Sequence, residues 1–133
     1  MTIADILTTY EVDAGQVALD LLTAARVLRN RGWATGVLED LRNRRVCVDG
    51  ALRLAITGRV DPYPHHPDLY RVDAARAVLI ITLGLLDDVD LWRWNDDLCT
   101  SDAQAAGVLE QAAARVEAEA GTRLADFQQV MAA

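Results

Sequence analysis

Six aspartates fall between Asp87 and Asp102 (Asp87, Asp88, Asp90, Asp96, Asp97 and Asp102), against a single cation, Arg93. Carboxylates at that density can ligate Mg²⁺ or Ca²⁺, which take oxygen donors. A metal-dependent hydrolase using Asp87, Asp90, Asp96 or Asp97 is therefore one chemistry open to the chain. The same window holds Trp92 and Trp94, flanking Arg93 and followed by Asn95. An aromatic and acidic segment of this kind also serves to recognise a partner, because interfaces enrich tryptophan. The other candidates for chemistry are weaker. His65 and His66 are adjacent, so they point in different directions, and prolines surround them; they read as incidental members of a loop rather than zinc ligands. Cys47 and Cys99 have neither metal spacing nor a disulfide pattern, and Cys47 reads as a small buried residue at the start of a helix. Ser101 suffices as a helix cap. The glycines are scattered singly, without a phosphate-binding loop or a dinucleotide fingerprint. No catalytic residue, metal-ligand set or cofactor is assigned.

A chain of 133 residues, 52% apolar and 25% charged, suits one soluble domain spanning residues 1–133 with a core of its own. The formal charge is −7, and the window from Asp87 to Asp102 supplies −5 of it (six acids, one arginine). An acidic surface repels phosphate backbones, which argues against direct nucleic-acid binding. Arg42, Arg44 and Arg45 form a small basic knot that reads as a solvated turn. Acidic mimicry of a nucleic acid is a further alternative, although −7 is modest for that role. The longest uncharged apolar run, Ala77 to Leu86, falls far short of the roughly 20 residues a membrane span needs. No basic region precedes an apolar stretch at the N-terminus, so a cytoplasmic protein is expected. All thirteen basic residues are arginine, which together with the abundant alanine reads as the codon bias of a GC-rich genome.

Helical periodicity predicts the elements that must position these residues. Thr2 and Asp5 open a short N-terminal helix within residues 1–12. Asp13 and Gln16 resemble a capping box ahead of a helix over 14–31, closed by Gly32. The turn signal at Asn43, between β-branched flanks, predicts a small hairpin, and a short helix follows over 49–57. The prolines of 61–67 force a loop. A helix over 73–86, capped by Asp68 or Asp73 and apolar on nearly every side, belongs at the centre. A helix over 101–120 ends at Gly121, and 122–133 makes a short C-terminal helix. The sum is a mainly α, compact single-domain array of five to six helices with one small β-hairpin insertion. In this reading Asp87 and Asp88 close the central helix, where acids are electrostatically misplaced unless solvated or paired. Trp92 and Trp94, one residue apart, would face opposite sides of an extended segment, one of them buried.

Three blocks together resemble a family of small actinobacterial and actinophage proteins known only as a domain of unknown function. They are Arg31-Gly32-Trp33 with Gly36, Cys47-Val48-Asp49-Gly50-Ala51-Leu52 with Ala55, and Trp94-Asn95-Asp96. The resemblance covers roughly residues 14–117 and implies a helical fold and a phage or actinobacterial setting, with no catalytic residues. It moves Trp94, Asn95 and Asp96 toward structural roles, as an anchor and a cap at the start of a helix, and Trp33, Cys47 and Gly50 are expected to be structural as well. Asp87, Asp88, Asp90, Trp92 and Arg93 remain as a surface for a protein partner. The function expected is non-enzymatic protein–protein interaction, with a host or regulatory protein as partner; the helical faces also allow a homodimer.

Overall fold

The computed structural model describes residues 1–132, apart from the side chains of residues 121–128 and 130. Among the described residues the fold is mainly α, with six helices and a small two-stranded hairpin. Helix α1 (Ile3–Thr9) opens with a true capping box: Thr2 Oγ1 accepts from the Asp5 N–H, and Asp5 Oδ2 accepts from the Thr2 N–H at 2.9 Å. That backbone bond holds the Asp5 carboxyl below its usual range. Helix α2 (Ala14–Arg31) has Asp13 as its cap, accepting from the Gln16 N–H. The Gln16 side chain does not return the bond but donates to Asp20 at 2.8 Å. Gly32 ends α2 with φ +92°, a value that a side chain rarely tolerates.

Beyond it the chain turns back in a hairpin of β1 (Glu39–Asp40) and β2 (Arg45–Val46), antiparallel with Glu39 opposite Val46. Asp40 organises the turn by accepting from Arg42 N, Asn43 N and Asn43 Nδ2. Helix α3 (Val48–Thr57) follows at once and stops at Gly58. The proline segment then leads to α4 (Leu69–Thr82), and α5 (Asp88–Arg93) runs into a π-turn (Trp94–Leu98) ahead of α6 (Asp102–Ala132).

Small residues decide how the layers meet. The inner face of α2 carries Ala18, Ala24 and Ala25 among Val17, Leu21 and Leu28, and α6 offers Ala105, Ala106, Ala112 and Ala113, all buried. Methyl side chains on both helices permit close approach, and the α2–α6 contact is the most extensive in the molecule. Helix α4 packs on both of them as its pattern predicts, but α2, which touches α6, α3, α4 and β2, is the hub.

Three boundaries differ from expectation. Helix α4 spans 69–82 rather than 73–86, because Gly84 adopts φ +70° and turns the chain away; Leu86, placed on the apolar stripe by its spacing, is 90% exposed. Asp68 occupies the cap position without a side-chain cap bond. Helix α6 passes through Gly121 without a break, so there is no stop there and no separate C-terminal helix. One interior glycine costs a helix only about 1 kcal/mol relative to alanine, which flanking helix formers such as Ala118, Glu119 and Ala120 offset. The apolar spacing of Leu124, Phe127 and Val130 lies outside the described residues. No helix among the described residues is long and apolar enough to cross a membrane.

Candidate functional site

The three sequence blocks, far apart in the chain, meet around the side chain of Asn95. After α2, residues 32–34 run parallel to β2: Val46 N–H donates to the Gly32 carbonyl and Ala34 N–H to the Val46 carbonyl. The π-turn then delivers Asn95, 3% exposed, against both segments. Its Oδ1 accepts from the Trp33 indole N–H at 2.9 Å and from the Val48 N–H at 3.0 Å. Its Nδ2 donates to the Ala34 carbonyl at 3.1 Å and to Asp96 Oδ1 at 2.9 Å. Asp96 Oδ1 also accepts from the Gly36 N–H at 2.9 Å, and Asp102 accepts from the Trp33 N–H. Asn95 and Asp96 are therefore not a helix cap. They tie the post-α2 segment, the start of α3 and the π-turn to one another.

The π-turn makes this possible. Cys99 N–H reaches back five residues to the Trp94 carbonyl, so an extra residue is accommodated in the turn. Trp94 is sent into the core while Asn95 and Asp96 face the 33–36 segment. Trp92 and Trp94 sit on helical rather than extended backbone, yet two positions along a helix still differ by about 200°. Trp94 is buried, and Trp92 is 44% exposed.

Cys47 caps α3: its Sγ accepts from the Gly50 N–H at 3.2 Å, the place a serine oxygen takes in other helices. Burial pushes the Cys47 thiol up, against the opposing pull of the Gly50 N–H, so it is poorly suited to nucleophilic attack. Gly50 is required by close approach. A Cβ there would stand 2.3 Å from the Leu38 carbonyl oxygen, which itself accepts from the Cys47 N–H. Gly50→Ala is expected to lower stability by about 2–3 kcal/mol, as over-packing against fixed backbone does; denaturant unfolding measures it, and a change under 0.5 kcal/mol (roughly the scatter of neutral surface substitutions) would remove this account.

Behind this wall lies a buried ion cluster. Asp49, 2% exposed, accepts from Arg76 Nε at 2.8 Å and from Arg53 Nε at 3.2 Å. Arg76 also reaches Asp73 at 3.1 Å and, more loosely, Asp88 at 3.8 Å. A second buried acid, Asp20, takes both arms of Arg71, at 2.7 and 3.1 Å. None of Asp20, Asp49, Arg71 or Arg76 was expected from the sequence. The available signal was a lone charge on an apolar helical stripe, since Asp20 sits among Val17, Leu21 and Ala24, and Arg76 among Val72, Ala75 and Leu79.

Between the 36–38 segment, the start of α3 and the α5/π-turn face lies a pocket of about 340 Å³. Val37 and Leu38 form one side, Cys47, Val48, Asp49 and Arg53 the second, and Leu91, Trp92, Asn95 and Asp96 the third. Of the expected partner surface, only Trp92 lines it. Asp87 and Asp88 do not close the central helix. Asp87 is instead the N-cap of α5 and accepts from the Asp90 N–H at 2.9 Å, while Asp90 accepts from the Leu86 N–H. Acids at that end complement the helix dipole. Arg93 is exposed in the last turn of α5. His66 lies in the proline loop, where its Nδ1 accepts from the Asp68 N–H. Among the described residues no three His, Cys, Asp or Glu side chains come together to hold a metal ion.

The sequence signature of DUF6197, a family of unknown function, matches residues 13–115. The chain belongs to this family. No curated protein and no solved structure matches it. The portion matching DUF6197 begins at the cap of α2 and ends within α6, so it contains the Asn95 knot, the ion cluster and every residue lining the pocket. Helix α1 and the last turns of α6 lie outside the DUF6197 match.

Proposed function

We propose that the protein works by binding another protein through the face where α5 and the π-turn meet the 36–38 segment. The observation that carries this reading is Trp92, which stands 44% exposed at an apolar pocket while Trp94 is buried and the Trp33 indole N–H is bonded to Asn95. A half-wet tryptophan contributes less to the fold than a buried one, and tryptophan is among the residues most enriched at interface hot spots. Asp87, Asp88, Asp90 and Arg93 give this anchor a charged rim that steers and selects partners. The lysine-free, alanine-rich composition fits a gene of actinobacterial or actinophage origin, and a host regulatory protein in the cytoplasm is the partner class we favour.

The test compares wild type, Trp92→Ala and Leu19→Ala, the last removing an exposed apolar side chain from α2 as a control. Trp92→Ala is expected to remain folded, within about 1 kcal/mol of wild type. It should lose the protein that both wild type and Leu19→Ala retain from an actinobacterial lysate. Unfolding of Trp92→Ala, or capture of the same proteins by all three, would sink the proposal.

A further inference from the structure

The pocket beside Trp92 has a composition specific enough to name what fills it. Its deep surface is apolar, formed by the buried Val48 and Leu91, and Val37 and Trp92 stand exposed at its mouth. Its cation, Arg53, is engaged with Asp49, and both Asp49 oxygens are taken by arginines. Asp96 is different. Oδ1 accepts from Gly36 and Asn95, whereas its second oxygen has no partner among the described residues. The charge left over in the lining is therefore one exposed carboxylate. Asp96 follows Trp92 by four residues, about one turn, so ring and carboxylate share a side of the helix and both border the cavity. An aromatic face beside a carboxylate complements a guanidinium, a planar cation that stacks and pairs at once. The methylenes of such a side chain are suited to an apolar wall. The cavity, about 340 Å³, is at the small end of ligand sites, enough for one long side chain and its neighbour.

Resting on the protein-binding reading, we infer that this pocket receives an arginine side chain from an exposed peptide segment of the partner, its guanidinium held between the Trp92 ring and the Asp96 carboxylate. Charge complementarity selects this occupant over an acidic or neutral one. The experiment is an NMR titration of the full chain with acetyl-Leu-Arg-Leu-amide, and with citrulline, lysine or glutamate in place of the arginine. It is run on wild type, Trp92→Ala and Asp96→Asn; the last keeps an acceptor for the Gly36 N–H while removing the charge.

The arginine peptide should saturably shift the Trp92 indole resonance and the backbone amides of Val37 and Leu38, which serve as the readout in Trp92→Ala, with lysine weaker and glutamate inert. Citrulline, the same shape without charge, should bind about tenfold more weakly, and each variant should weaken the arginine peptide by a similar factor. Equal binding of citrulline or glutamate, undiminished affinity in Asp96→Asn, or no saturable shift up to about 10 mM would overturn the inference. If no peptide binds but Trp92→Ala still loses its captured partner, the arginine site fails and protein binding stands. If the peptides behave as expected while Trp92→Ala captures the same proteins as wild type, the guanidinium site stands and the protein-binding reading fails.

Discussion

Asn95→Ala should destabilise the protein by about 3–5 kcal/mol, more than any surface substitution, because it strands several polar groups at once. Alanine leaves the Val48 N–H, the Trp33 indole N–H and the Ala34 carbonyl without the partners that Asn95 provides. Each buried group left unsatisfied costs about 1–3 kcal/mol, and the half-buried Trp33 recovers part of its share from water. Asn95→Asp is the sharper control. It keeps an acceptor for Trp33 and Val48 but turns an oxygen toward the Ala34 carbonyl and the Asp96 carboxylate, where Nδ2 now donates. At neutral pH its loss should equal or exceed that of the alanine variant. Urea unfolding followed by circular dichroism measures both, and a loss below about 1 kcal/mol for either would mean that Asn95 does not hold these segments together.

The second large effect is expected at the buried ion pair. Asp49→Ala strands Arg76, which among the described residues keeps Asp73 and the distant Asp88, and should cost about 3–4 kcal/mol. Removing both charges is a different matter. The double variant Asp49→Ala/Arg76→Met replaces two desolvated ions by apolar groups, so it should be more stable than Asp49→Ala alone. With the single variant Arg76→Met added, urea unfolding of all four proteins closes a double-mutant cycle that gives the coupling between the two residues. Strict additivity of the two single losses would show that Asp49 and Arg76 contribute independently and that the pair is not a unit.

Much of this fold was legible in local patterns. The box of Thr2 and Asp5, the Asp13 cap and Gly32 marked the ends of α1 and α2, and Asn43 marked the hairpin, because each acts within a few residues of itself. Local signals failed where a distant partner decided the outcome. Spacing alone puts Asp87 at the end of one helix although it begins the next, since a carboxylate near a boundary carries no sign of direction and it is Gly84 that turns the chain. Gly121 carries a breaker's identity but too small a cost to break α6. At the site, the sequence blocks that hold Trp33, Cys47, Gly50, Trp94, Asn95 and Asp96 come together around Asn95. The reason was not legible, because Asn95 joins residues some sixty positions away, at Trp33 and Ala34. The pocket arises from that junction and has no sequence pattern of its own. Trp92 alone carried a local hint of it, as one member of a tryptophan pair on opposite sides of the same strand of chain.

The long reach of Asn95 also sets an order of assembly. A ribosome releases α1, α2, the hairpin and α3 well before residue 95, so for that interval the Val48 N–H and the Trp33 indole face solvent. Helix α6, against which α2 makes its most extensive contact, emerges later still. The first half of the chain is thus a platform with its two principal docking faces empty. Domains generally fold as units, and here the unit closes only after its C-terminal third has been made. A nascent chain arrested before Asn95 should consequently be open to proteolysis throughout, rather than protected helix by helix.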